Sequence, residues 1–347
     1  MLSYIYHSDK TLELKDKPIP KLLGEGALIK VMACSICGTD LRTYRFGSNK
    51  INDGRILGHE VVGEIVELSA DNNGDFSIGD HVAIAPAIGC GVCYSCKNGR
   101  TNMCEDLKTL GYQYDGGFAE YMVIPSQAFS MGNVYKLPQI DDYSVYTLSE
   151  PLACAINAQS YLNIKKDEDV LIIGSGIIGC MHAELALHSG AKNVFIIETS
   201  EQRIKQAGEL LERVVFINSK DKDVFKEISR LTDGKGVDVA IIACSVGSAQ
   251  ADGMKLLAKC GRISLFGGLA GDSTGFIDSN LVHYKEIGVF GVHASTPKQN
   301  RQAMSMIHSG VINVEKYVTK RYLLENIYQA FKDIEGGNVM KAIIINR

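Results

Sequence analysis

Four cysteines, Cys90, Cys93, Cys96 and Cys104, lie in the stretch GCGVCYSCKNGRTNMC. Their spacing, C-x2-C-x2-C-x7-C, lets four thiolates close a tetrahedral shell around one soft or borderline metal, most often zinc. Gly89, Gly91 and Gly99 allow a short loop to wrap the ion. Disulfides and an iron–sulfur cluster are the competing uses of four close cysteines. A closed four-thiolate shell has no open position for substrate, so this metal holds a lobe together and the chemistry lies elsewhere.

A second constellation flanks that lobe. Cys37-Gly38-Thr39-Asp40 and Gly58-His59-Glu60 precede it, and Glu150 follows in SEPLAC. Cysteine, histidine and carboxylate are the ligands of an open catalytic zinc, which keeps one position for water or a substrate oxygen. Each has a plainer reading alone: core cysteine, surface or satisfied histidine, helix-starting SEP. Their order along the chain favours the metal.

A third motif binds a nucleotide. The apolar run VLII (170–173) leads into Gly174-Ser175-Gly176-Ile177-Ile178-Gly179 and then a helical stretch. The strand before and helix after give GxGxxG its force. The first glycine makes the turn tight, the second admits a pyrophosphate, and the third lets helix pack on strand. Glu198 ends the next strand, where an acid takes the ribose hydroxyls of NAD and repels the extra phosphate of NADP. Arg203 lies a turn into the following helix and flanks the adenine or faces solvent.

These residues need two kinds of scaffold. Residues 25–130 hold short alternating stretches (ALIKVMAC, EVVGEIVEL, DHVAIAPAI, FAEYMVI) broken by turns such as DNNGDFSIGD, which predicts a β-rich, partly open barrel. From about residue 150, six apolar strands alternate with helices: 170–173, 194–198, 214–218, 237–244, 262–267 and 286–292. That rhythm predicts an α/β domain with a parallel sheet covered on both faces. The final run MKAIIIN is surplus to a six-strand sheet and is expected to return to the first domain.

At 347 residues the chain is long enough for about two domains. A net charge of −4 supplies no basic stripe for nucleic acid, and 46% hydrophobic content is that of an ordinary globular protein. Apolar runs are broken by glycine and too short to span a bilayer. The N-terminal stretch lacks the layout of a signal peptide. Ten cysteines then suggest a reducing compartment, so a cytoplasmic protein is expected.

Taken together, Cys37-Gly-Thr-Asp, Gly58-His59-Glu60, the four-cysteine lobe, DGGFAEY (115–121), SEPLACAINA (149–158) and GSGIIG (174–179) resemble the zinc-dependent medium-chain dehydrogenase/reductase family, in its sorbitol or polyol branch. The resemblance implies a GroES-like catalytic domain from residues 1–150 and 296–347, and a Rossmann NAD-binding domain from 151–295. It implies two zinc ions per chain. Cys37 and His59 would bind the catalytic ion, with Glu60 and Glu150 as third ligand or water-bridging neighbour. Thr39 would accept the hydroxyl proton of an alcohol, although it could also cap the segment DLRTYR. A homodimer or homotetramer is implied, joined along the edge strand EIGVFGV.

Departures bear on the substrate. Many relatives carry a proton-relay histidine where this chain has Arg42, and arginine cannot shuttle protons near neutral pH. Arg42 could hold the cofactor pyrophosphate or a substrate anion. Sorbitol dehydrogenases carry an Arg-Tyr pair, and threonine dehydrogenases an arginine, near Gly291-Val292-His293, and both are missing here. Glu150 in place of a cysteine favours the polyol branch, giving a small-molecule polyol or sugar alcohol as substrate. Tyr44, Phe118 and His293 are candidate pocket walls, with packing the plainer reading. Arg42, Arg45, Lys50 and Arg55 form a basic run that would suit a phosphorylated polyol, against the plainer reading of a solvated face. An enzyme like L-threonine 3-dehydrogenase is a further alternative. A catalytically silent nucleotide-binding relative would have lost a ligand or Thr39, and a zinc-independent reductase would lack both cysteine motifs. Cys34, Cys154, Cys180, Cys244 and Cys260 read as core.

Overall fold

The computed structural model describes residues 1–22, 24–69, 76–269 and 273–346; residues 71–75 of the DNNGD turn lie outside them. The chain divides into two compact units, Met1–Ala153 with Ala294–Arg347, and Cys154–His293.

The first unit is organised around one long strand, Gly26–Ser35, buried at most positions. On one edge it pairs antiparallel with Glu60–Leu68, from Ala27↔Leu68 to Ser35↔Glu60. Its other edge is shared: Tyr121–Pro125 pairs with Gly26–Lys30, and the C-terminal strand Lys341–Ile345 pairs with Ala33–Ser35. His81–Ile84, Val134–Lys136 and Val318–Leu323 complete a seven-stranded sheet. MKAIIIN thus joins the first unit. Its isoleucines continue an apolar face that the sheet buries, with Ala342 and Ile343 fully covered.

The second unit is a six-stranded, wholly parallel sheet. Its order is Val214–Asn218, Asn193–Glu198, Asp169–Ile173, Val237–Ile242, Leu257–Leu265, Gly288–Gly291. All six predicted strands are present. The order reverses beside Asp169–Ile173, which makes the turn after that strand the topological switch point where such sheets bind ligands. The turn is the glycine-rich one. Its helix, Ile177–His188, starts at Gly176.

Two expectations for side chains need correcting. Cys34 and Cys180 are buried, but Cys260 is exposed, with a positive φ of 59°. The pairing of Val237–Ile242 with Leu257–Leu265 shifts register around it, and this irregularity interrupts the inward face. His81, which follows the Gly79-Asp80 turn and would be expected from its sequence position to face solvent, stacks instead on Tyr143, with ring centroids 4.0 Å apart.

His182 is wholly buried in the helix Ile177–His188. Gln159 Nε2 donates to its carbonyl at 2.8 Å and sits 3.2 Å from its Nδ1. The Phe266 ring meets it edge-on, and Nε2 has no hydrogen-bond partner. Burial depresses its pKa from 6.5 to about 3. The unfolded chain therefore takes up a proton below about pH 6.5 that the native state refuses, so stability falls as pH drops from there towards 3. Thermal melts should show this. His182→Gln should flatten the decline in Tm between pH 6.5 and 4; equal slopes in the two proteins would show that other groups set it.

Candidate active site and metal centres

The central strand and its neighbour place the first metal ligands. Ser35 stands opposite Glu60 in the ladder, with Cys37 two residues beyond and His59 one residue before. The two motifs are about twenty residues apart in sequence and meet because their strands pair. Cys37, His59 and Glu60 each offer a donor atom within 4.8 Å of the others.

Local chemistry fixes each one. Cys37 is the N-cap of the helix Gly38–Phe46, and its N–H donates to Asp40 Oδ2 at 2.9 Å. Thr39 therefore sits inside the first turn, and the N-cap role left open for it belongs to Cys37. Asp40 is buried, with Oδ1 3.4 Å from His59 Nδ1. Gly58 has φ of +93°, and a Cβ there would lie 2.8 Å from Cys34 Sγ and from Phe118. Only glycine permits this approach. Phe118 is completely buried against Gly58 and belongs to the packing that sets His59, not to a pocket wall.

Behind Glu60 lies a group that the sequence reading missed. Lys341, at the start of the C-terminal strand, donates to Glu60 Oε2 at 2.5 Å and to the Ile36 carbonyl at 2.9 Å. Ser35 Oγ donates to the same Oε2. Lysine and glutamate are both buried. Burial works against the charge on Lys341, but the Glu60 carboxylate, then Cys37, outweigh it and raise its pKa. A lone lysine opening an otherwise apolar strand was the available signal. Glu150, in the first turn of Ser149–Leu162, is outside the three-donor group but close enough for its charge to act on Lys341.

One buried polar atom at this centre, Glu60 Oε1, has no hydrogen-bond or ion-pair partner among the described residues, whereas His59 Nδ1 faces Asp40. Such an orphan calls for an occupant. Burial opposes a charge on His59, yet Asp40 and Cys37 draw its pKa well up, so the site favours positive charge. A thiol, an imidazole and an unpartnered carboxylate oxygen fit a zinc ion with an open position.

Tyr112 was also missed. Its ring stands edge-on to His59, with centroids 6.0 Å apart, and burial pushes its pKa to about 12. Arg42, on the Gly38–Phe46 helix, is close enough for its charge to act on Tyr112. The basic run divides. Arg45 pairs with Glu335 and Arg55 with Asp115, whereas Arg42 and Lys50 have no ion pair among the described residues. Tyr44 packs on Tyr328 and Phe331. His293 is exposed at the end of the second unit, and its carbonyl accepts from Asn157.

The second metal centre gathers as the spacing requires. Cys90, Cys93, Cys96 and Cys104 place their sulfurs within 4.8 Å of one another, with no disulfide among them. The Cys90 N–H donates to Cys104 Sγ at 3.2 Å and the Cys93 N–H to Cys90 Sγ at 3.4 Å. A Cβ on Gly89 would lie 2.8 Å from Cys96 Sγ. The backbone N–H groups of Cys96 and Glu105 lower the Cys93 pKa, which favours the thiolate a metal needs.

In the nucleotide turn, Gly174 has φ of +109°, and a Cβ on Gly179 would lie 1.9 Å from the Gly174 carbonyl oxygen. A Cβ on Gly176 would meet nothing, so space is open there for a ligand at the helix N-terminus. Ser175, Ile177 and Ile178 complete the turn, and Ser175 is buried. Glu198 turns back towards it. Oε2 accepts from Ser175 N and Oγ, and Oε1 from Thr199 N, Thr199 Oγ1 and Ser200 N. Burial raises its pKa, but these bonds outweigh burial and leave it below 4.5. Arg203 is exposed in the following helix.

Comparison with known proteins agrees with this geometry. Residues 24–139 match the alcohol dehydrogenase GroES-like domain, and residues 178–309 match the zinc-binding dehydrogenase domain. L-threonine 3-dehydrogenase of Pyrococcus furiosus is 34% identical over 96% of this chain and 94% of its own. The chain belongs to the zinc-dependent medium-chain alcohol dehydrogenase family. Sorbitol dehydrogenase of Halalkalibacterium halodurans is 31% identical over 97% of this chain and 96% of its own. RspB, an alcohol dehydrogenase of Escherichia coli CFT073 solved with NADH, superposes with a TM-score of 0.89 at 25% identity over 99% of both chains. As a family member this protein is an oxidoreductase that uses zinc and a nicotinamide dinucleotide on a small alcohol. Among the described residues, no helix is long and apolar enough to cross a membrane.

Two measurements check the centres. Cys96→Ser should lower zinc content from two per chain to one and lower Tm, since the lobe loses its cross-link; unchanged zinc would remove the lobe from the metal sites. Glu198→Gln should melt below the parent at neutral pH. Because the native pKa is depressed, that gap should be full above about pH 4.5 and close as pH falls further.

Proposed function

We propose that this dehydrogenase oxidises a secondary alcohol of a polyol- or sugar-type substrate to the ketone, with NAD as hydride acceptor. The observation that carries the reading is the Cys37–His59–Glu60 cluster with its unpartnered Glu60 Oε1. These residues would hold the catalytic zinc, with Glu150 beside them. Bound there, zinc would act as a Lewis acid that makes the hydroxyl proton easier to lose. Asp40 orients His59 from behind. Thr39 is half-buried at the start of the helix capped by Cys37 and has no side-chain hydrogen bond among the described residues, so its hydroxyl is free to accept the substrate's hydrogen bond while giving up its own proton towards the cofactor ribose. A bound nicotinamide would accept the carbon-bound hydrogen with its electron pair, and the chain's part would be orientation.

NAD is preferred to NADP because Glu198 places a carboxylate at the end of the second strand. A polyol is supported by Glu150 near the site and by the sorbitol dehydrogenase among the relatives. A second reading takes an alcohol that carries an anion, a threonine or a polyol phosphate. Relatives named L-threonine 3-dehydrogenase favour it, as does Arg42, which has no ion pair among the described residues and acts on Tyr112 beside His59. Ten cysteines with no disulfide among the described residues support a cytoplasmic setting. The open sheet edge at Gly288–Gly291 and exposed Phe276 and Tyr284 support a homodimer or homotetramer.

The test is NADH formation by the zinc-loaded protein with neutral polyols, cyclitols, their phosphate esters and threonine, with NADP in parallel. Turnover of neutral polyols with NAD is expected. Turnover confined to threonine or phosphate esters would replace the first reading with the second, and preference for NADP would overturn the role of Glu198. Thr39→Ala should lower kcat by about 10²- to 10⁴-fold at unchanged zinc content.

A further inference from the structure

The carboxylate of Glu60 is divided between two tasks. Oε2 is bonded to Lys341 and Ser35, whereas Oε1, equally buried, has no partner and belongs to the group with Cys37 and His59. The same ammonium holds the carbonyl of Ile36, the residue before Cys37. One cation therefore links the segments that carry all three candidate ligands. It comes from the far end of the chain, on the strand that pairs with Ala33–Ser35. A buried ion pair of this kind is a poor source of net stability, because desolvating both charges offsets most of their attraction. Its cost points to another use.

We propose that Lys341 is a positioning residue for the catalytic zinc: by holding Oε2, with Ser35, it limits Glu60 to offering the metal one partly neutralised oxygen. The consequence is chemical. An unrestrained glutamate can present both oxygens to a cation and supply a full negative charge. A tethered one donates less, so the metal keeps its Lewis acidity and a position remains exchangeable for substrate. The tether also fixes the distance between the Cys37 and Glu60 segments, since Lys341 Nζ bonds to both. Glu150 adds a second negative charge within reach of Lys341, which places the lysine as the cation among the carboxylates around the metal.

This inference rests on the zinc reading above, and its test separates the two. Cobalt replaces zinc in the intact protein, and the visible and thiolate charge-transfer bands report the ligand field independently of turnover. The parent protein should show a thiolate band that Cys37→Ala abolishes; a band insensitive to that change would sink the zinc reading itself. Given that band, Lys341→Met should shift the visible bands as Glu60 gains freedom. The variant should hold its metal against a chelator at least as well as the parent, yet lose kcat about 10- to 100-fold. A purely structural lysine predicts the opposite for the metal, which is lost with the bands of the remaining loaded fraction unmoved; a lower Tm is expected on either reading, because Glu60 loses its buried partner. If Lys341→Met does not fold, Ser35→Ala removes the other tie to Oε2 and should shift the bands in the same direction by a smaller amount. Unshifted bands in Ser35→Ala and in any folded Lys341→Met protein would overturn the inference.

Discussion

The antiparallel register that sets Ser35 opposite Glu60 is the constraint on which the catalytic unit depends. A slip of one residue would turn every side chain on one strand to the other face. It would carry Glu60 away from Ser35 and Lys341, and His59 away from Cys37. The register is held by a long apolar ladder from Ala27 to Ser35, by Gly58, which has no room for a side chain, and by the C-terminal strand on the opposite edge. Chemistry at one end of the strand is secured by packing along its whole length.

Charge at the site follows from the same geometry. Asp40, Glu60 and Glu150 gather near one thiol and one imidazole, with Lys341 as the buried cation among them. Without a metal, this is a costly arrangement of buried acids; with a dication it becomes balanced. The four-cysteine lobe solves a simpler version of the problem, using backbone N–H groups to stabilise thiolates around a closed shell. With metal bound, one centre would keep a position for substrate and the other would not, and the donor types explain the difference.

The nucleotide unit works by a different economy. Its central strands are buried on both faces, and its glycine-rich turn lies at the switch point of the sheet. Gly174 and Gly179 are required by the fold itself, one for its positive φ and one for the contact of helix with strand. Gly176 is not, because a Cβ there would touch nothing. Glu198 serves the turn, through donors from Ser175, Thr199 and Ser200.

The sequence alone determined the two metal motifs, the nucleotide turn, the six parallel strands and the return of the last strand. These are carried by local spacing and by apolar periodicity, which survive in one dimension. Tertiary structure decided what distance along the chain conceals. Lys341 reaches Glu60 across 281 residues, and no periodicity marks a lysine as the partner of a glutamate so far away. Tyr112, in the turn that follows Lys108–Thr109, meets His59 only in the folded chain. Phe118 became core, Arg45 and Arg55 were claimed by Glu335 and Asp115, and Cys260 turned outward at an irregular pairing. Residue type and spacing name the groups capable of chemistry; burial and pairing decide which are free to perform it, because a cation already paired with a neighbour has less to offer a ligand.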